Sequence, residues 1–99
     1  MIKLLMSWNI RPGVEDEWFE FIIQEFGPGL LKLGIRPTDT WCTTYGEQPQ
    51  ILAGGVAKDL ESLQNALTSD KWRGLKEKLL TYVTDYDQKV VQANGGFQI

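Results

Sequence analysis

The sequence predicts an α+β fold in the order β-α-β-β-α-β, a four-stranded antiparallel sheet with its helices on one face. Three observations carry that prediction. Residues 2–10 alternate with a period of two, residues 14–26 and 59–91 repeat at helical spacing, and the stretch between them is rich in β-formers around one turn. At 99 residues the whole chain, 1–99, reads as a single domain.

In the first strand Ile2, Leu4, Met6, Trp8 and Ile10 are uniformly apolar, whereas Lys3, Ser7 and Asn9 interrupt the odd positions. One face is therefore strongly buried, and which face meets the helices is left to the three-dimensional packing. Arg11-Pro12-Gly13 stops the strand, because proline cannot donate to a ladder. Val14, Trp18, Phe21 and Ile22 then share a helical face, with Glu15, Asp16 and Glu17 in the first turn, at the positive end of the helix dipole. Phe19, Ile23 and Phe26 add a second apolar edge, which predicts contact on two sides. Gly27-Pro28-Gly29 is expected to break or kink this helix, and Leu30-Leu31-Lys32-Leu33 to form a last turn closed by Gly34.

Residues 38–45 read as the second strand, Gly46-Glu47-Gln48-Pro49 as a turn, and Gln50 to Ala57 as a third strand, making a hairpin. Gly54-Gly55 inside the third strand marks either a bulge, the preferred reading, or a close approach by backbone or ligand. Asp59 caps a short helix to about Leu67. Thr68-Ser69-Asp70 then starts a longer helix through Trp72, Leu75, Leu79, Val83, Tyr86 and Val90 to about Val91. Asn94-Gly95-Gly96 ends it, leaving Phe97-Gln98-Ile99 as a frayed tail or a short last strand. Leu5, and Ile51 beside Leu52, put apolar residues on both faces of the sheet. A second copy of the chain covering the open face, sheet on sheet, is the simplest solution.

Composition removes several functions. The chain is 42% hydrophobic and 23% charged with a net charge of -3, which is globular and offers no bulk basic surface for nucleic acid. It has no histidine, which excludes His-based triads, proton shuttles, metal sites and proximal-His haem ligation. Cys42 is the sole cysteine and cannot form an internal disulfide, so a reducing, cytoplasmic setting is expected. No run approaches ~20 apolar residues, so no membrane span is expected. Met1-Ile2-Lys3 leads into a strand and does not read as a signal peptide.

Arg11-Pro12-Gly13-Val14-Glu15-Asp16-Glu17-Trp18-Phe19, following a strand, resembles the dimeric α/β-barrel superfamily. That group includes antibiotic-biosynthesis monooxygenase-like, NIPSNAP-like and stress-responsive barrel proteins. Leu67-Thr68-Ser69-Asp70-Lys71-Trp72-Arg73-Gly74-Leu75 is similar to its joint between a short and a long helix. The resemblance implies a ferredoxin-like fold, a homodimer whose two sheets close into a barrel, and small-molecule pockets beside the sheets. It does not imply a single chemistry. Haem-degrading members use a helix histidine and an asparagine in mid-strand one. This chain has Lys76 near the former and Leu5 and Met6 at the latter, and Trp72 follows the Ser-Asp joint instead of preceding it. Haem degradation is thereby disfavoured, and a cofactor-free oxygenase needs only a dry pocket and a few hydrogen bonds.

Trp8, Trp18, Trp41 and Trp72, with Tyr45, Tyr82 and Tyr86, can line a flat pocket whose indole N–H and phenol O–H groups orient an aromatic ligand. At these spacings they can equally fill a core and a dimer seam. Ser7, Trp41, Tyr45 and Trp72 are the candidate ligand-binding residues, and Asn9, Asp39 and Tyr45 the candidate catalytic ones. Asp39, with Arg36 nearby, would act as a base if burial raised its pKa, and otherwise caps the Pro37-Thr38 turn. Glu15, Asp16, Glu17, Glu20 and Glu25 diverge around a helix and read as a solvated face, not a metal site. Cys42 packs as a small hydrophobe, and the mixed charges from Lys71 to Lys89 make a wet surface. Two readings stand. One is a cofactor-independent, monooxygenase-like enzyme acting on a hydrophobic aromatic or quinol-type molecule; the other is a non-catalytic dimeric module that binds a hydrophobic ligand or a protein partner.

Overall fold

The computed structural model describes the backbone of residues 1–45 and 48–92 and the side chains of residues 1–38 and 51–92. Its elements are β1 (Ile2–Ile10), α1 (Glu15–Phe21), a π-helical segment (Ile22–Phe26), α2 (Gly27–Lys32), β2 (Arg36–Tyr45), β3 (Gln48–Ala57), α3 (Leu60–Leu67), α4 (Asp70–Leu80) and β4 (Val83–Gln92). The four strands lie in the order β2-β3-β1-β4 with every neighbouring pair antiparallel, the ferredoxin-like arrangement expected from the sequence.

The even residues of β1 answer the question of facing. Ile2, Leu4, Met6, Trp8 and Ile10 are all buried, and they form one core with Phe21, Phe26 and Leu30 of the first helical run and Leu63, Trp72 and Leu79 of the second. The odd residues Lys3, Leu5, Ser7 and Asn9 lie on the sheet face away from the helices and are half-buried.

The first helical run does not break at Gly27-Pro28-Gly29. It passes through the π-helical segment, where the Gly27 N–H donates to the carbonyl of Ile22. Pro28 has no N–H to give to the carbonyl four residues earlier, and the wider i→i+5 turn lets the chain continue into α2 with Pro28 in its first turn. Phe19 and Ile23, on its second apolar edge, remain more than half exposed at 57% and 56%, while Phe26 is buried. Gly34, at φ +83°, ends α2 as anticipated.

The long second helix is the principal correction. α4 stops at Leu80, and residues 83–92 form β4, the edge strand beside β1. Thr81 and Tyr82 close the helix by donating backbone N–H groups to Lys78 and Leu79, and the Tyr82 carbonyl accepts from Arg11 at the end of β1. The misleading spacing has a cause. β4 places two residues, Asp85 and Tyr86, against Trp8, because Ser7 pairs with Asp87 and Asn9 with Thr84. This bulge stretches a strand step of two into three between Val83 and Tyr86, which imitates a helical repeat. Asp85 takes the left-handed conformation at φ 56°, which a short polar side chain tolerates. The proposed last strand at Phe97-Gln98-Ile99 lies outside the described residues.

β2 and β3 pair as a hairpin, each reaching slightly beyond its expected bounds. β3 runs against β1 without a register shift, so Gly54-Gly55 is not itself bulged. The irregularity lies across from it, where β2 changes register between Pro37 and Thr40. Close approach explains the second glycine: a Cβ on Gly55 would stand 2.7 Å from Cγ2 of the fully buried Ile35. The capping expectations hold. The Asp59 carboxylate accepts from the Ser62 N–H at 2.8 Å, and Ser69 Oγ accepts from the Trp72 N–H at 3.2 Å.

Candidate functional site

Two concavities flank β1, one on each side of the sheet. On the open side a shallow depression of about 240 Å³ is lined by Leu5, Ser7, Leu52, Asp87 and Lys89 among others. The register sets Trp41, Leu52, Ser7 and Asp87 in one row across the four strands. Asn9, also on this side, donates from Nδ2 to Asp85 Oδ2 at 3.0 Å and is thereby tied to the bulge. Ser7 and Asn9 thus share a face. Trp72 is on the other side, buried against Phe26 at 6.1 Å between ring centroids. The side chains of Asp39, Trp41, Cys42 and Tyr45 lie outside the described residues.

On the helix side a smaller apolar pocket of about 60 Å³ is enclosed by β1, β3, the π-helical segment and α2. Met6, Trp8, Trp18, Phe26 and Leu30 form its buried floor, while the partly or fully exposed Ile22, Gly27, Pro37 and Ala53 form its rim. Trp8 is the hub of the aromatic set. Its ring meets Trp18 and Phe26 edge-on at 6.3 and 6.2 Å and stacks on Tyr86 at 6.0 Å with planes 11° apart. Trp18 comes from α1 and Phe26 from the π-helical segment, and the β4 bulge is what sets Tyr86 opposite Trp8.

The electrostatics are one-sided. No pocket-lining residue among those described carries a titratable side chain. The indole Nε1 atoms of Trp8 and Trp18 are buried without a hydrogen-bond partner. A buried donor left unmet costs about 1–3 kcal/mol, so two on adjoining rings of one pocket call for an explanation. Tyr86 cannot act as a base beside them. Burial first, and then the negative charge of Asp87, push its phenol well above the ordinary range, and its hydroxyl donates to Gln88 Oε1 at 2.7 Å. Lys76, the residue near the haem-ligand stretch of the resembled enzymes, sits 5.1 Å from the Tyr86 ring centroid. Chemically, the described lining is an apolar, aromatic wall without charge. Sequence reasoning placed Trp8 and Trp18 in the aromatic set but not among the site residues. Their signal was present: Trp8 is on the uniformly apolar face of β1, where an indole N–H finds no water.

Among the described residues no three His, Cys, Asp or Glu side chains are grouped to hold a metal, and no helix is long and apolar enough to cross a membrane.

No protein-family sequence model matches the chain, and no curated protein matches it by sequence. Solved structures do match. A Deinococcus radiodurans protein provisionally assigned as an antibiotic biosynthesis monooxygenase superposes with a TM-score of 0.74 at 13% identity, covering 100% of this chain and 98% of that one. An uncharacterised NIPSNAP domain protein from Burkholderia xenovorans gives 0.69 at 14% identity over 100% and 99%. A Bacillus halodurans protein of the ethyl tert-butyl ether D family gives 0.65 at 19% identity over 94% and 99%. The chain shares the fold of these proteins, and the Deinococcus and Burkholderia neighbours carry the descriptions of two groups that its β1–α1 stretch resembles.

Proposed function

We propose that the chain is a homodimeric α/β-barrel protein that binds a hydrophobic aromatic molecule in the helix-side pocket and oxygenates it without a cofactor. The observation that carries this reading is the aromatic lining of the pocket, in which Met6, Trp8, Trp18 and Phe26 meet and no described residue carries a charge. Oxygenation without a cofactor requires the substrate to supply the electrons, which an electron-rich anion does. In the balanced step a ring CH2 and O2 become C=O and water. The proton leaves first, and Asp39 is the proposed base, placed in the irregular β2 stretch two residues from Pro37 on the rim. The resemblance to monooxygenase-like proteins supports the reaction class, and the Deinococcus neighbour supports it at the level of fold.

The dimer is proposed from the open face, where half-buried Leu5 and 41%-exposed Leu52 leave apolar surface between Ser7 and Lys89. Oxygen consumption with a panel of reduced aromatic ketones and quinols tests the activity. Uptake that is lost in Trp8→Phe and Asp39→Asn supports it; no uptake across the panel rejects it. A non-catalytic binding module is the second reading, favoured by the lack of any titratable side chain on the described pocket lining. It predicts binding without turnover.

A further inference from the structure

We propose that the two copies of the homodimer stack with their strands antiparallel across the open face, so that Asp87 of each faces the partner's Lys89. This inference rests on the open-face homodimer reading and deepens it by naming the orientation of the two copies and the groups that set it. The register brings Asp87 level with Ser7 and Lys89 level with Leu5, and all four residues line the open-face depression. Asp87 and Lys89 are both exposed, and neither forms an ion pair among the described residues.

Charge on this face is segregated along the strand direction. Asp87, and beyond it Asp85 held by Asn9, lie toward one end, whereas Lys89 and Lys3 lie toward the other. Gly54 keeps the basic end flat: Cε of Lys3 is 3.1 Å from the place a Gly54 Cβ would take, so the lysine stem lies over β3. Two like sheets stacked face to face are related by a two-fold axis running between them. An axis along the strands sets each row against itself, and the row of Asp87, Ser7, Leu52 and Trp41 holds no cation. An axis across the strands, level with Met6 and Gln88, instead lays β4 of one copy over β4 of the other. It exchanges the row of Asp87, Ser7 and Leu52 with the row of Lys89, Leu5 and Gly54. Asp87 then meets Lys89 of the partner subunit twice, by symmetry, and complementary charge fixes the orientation while Leu5 and Leu52 supply the apolar contact.

The dimer dissociation constants of the parent, Asp87→Lys, Lys89→Asp and the double exchange, measured at low salt by sedimentation equilibrium, test this. Each single reversal should raise the Kd about tenfold, since it turns two attractive pairs into two repulsive ones. The double exchange should return to within about threefold of the parent, because the pairs are restored with their signs swapped. Asp87→Lys is the decisive variant. It makes the chain less negative than its net charge of -3, so general repulsion between copies alone would tighten the dimer. An equimolar mixture of the two single variants should form heterodimers in preference to either homodimer. A Kd that Asp87→Lys leaves unchanged or lowers, or a double exchange that stays weak, overturns the antiparallel orientation while leaving the dimer in place. A parent chain that sediments as a monomer removes the dimer reading, and this inference with it.

Discussion

The two faces of β1 differ more than alternation of side chains alone would require. The even face, from Ile2 to Ile10, is covered by helices and holds an apolar pocket whose described side chains carry no charge. The odd face carries Lys3, Leu5, Ser7 and Asn9 in a broader, shallower depression bordered by Asp87 and Lys89. An apolar, uncharged lining suits an uncharged small molecule. A mixed, open surface with Leu5 and Leu52 at its centre suits another sheet. One strand serves both purposes because consecutive residues point to opposite sides.

Truncation on each face is the strongest way to test that division. Leu4→Ala, at a side chain that is 0% exposed, should lower the unfolding free energy by about 2–5 kcal/mol in urea denaturation. Leu5→Ala, one residue on, should cost less than half of that at low protein concentration and more as concentration rises, if a partner covers it. Leu52→Arg should convert a dimer into a folded monomer by light scattering, and a mutant that stays dimeric would remove the open face as the interface. Gly55→Ala drives a methyl into Ile35 and should cost about 1–3 kcal/mol. Ser69→Ala removes the α4 cap on the helix side and should cost about 1 kcal/mol.

The smallest effect is a pH effect on the exposed rim of α3. The Ser62 backbone N–H holds the Asp59 carboxyl below its ordinary 3.8. A folded-state pKa that is lowered contributes stability above the unfolded value and loses it as pH falls through the folded one. Asp59→Asn keeps a neutral cap, so its stability should decline less than that of the parent as pH is taken below about 4.

Most of the fold was legible because its signals are local. The period of β1, the Asp59 and Ser69 caps and the Gly34 stop each depend on a few neighbouring residues. The failures came from contacts between distant ones. The β4 bulge opposite Trp8 disguises a strand as a helix, and its cause, the pairing of Ser7 with Asp87 and Asn9 with Thr84, cannot be seen along the sequence. Gly54-Gly55 signalled irregularity correctly, but the irregular strand is its neighbour β2 and the close approach is by Ile35. The site was legible only in composition. An excess of aromatics suggested a flat pocket, but which indoles would be left without water depended on which face of β1 the helices cover.

Ala53 and Leu52 allow the central claim, that the ligand site is on the helix side, to be tested with two adjacent substitutions. Ala53 pairs with Met6 and lines the indole pocket, whereas Leu52 pairs with Ser7 on the open face. The measurement is the dissociation constant for duroquinone in Ala53→Phe and Leu52→Arg, each first checked for folding by circular dichroism. The account predicts that Ala53→Phe abolishes binding and that Leu52→Arg retains it; binding lost in Leu52→Arg and kept in Ala53→Phe would contradict it.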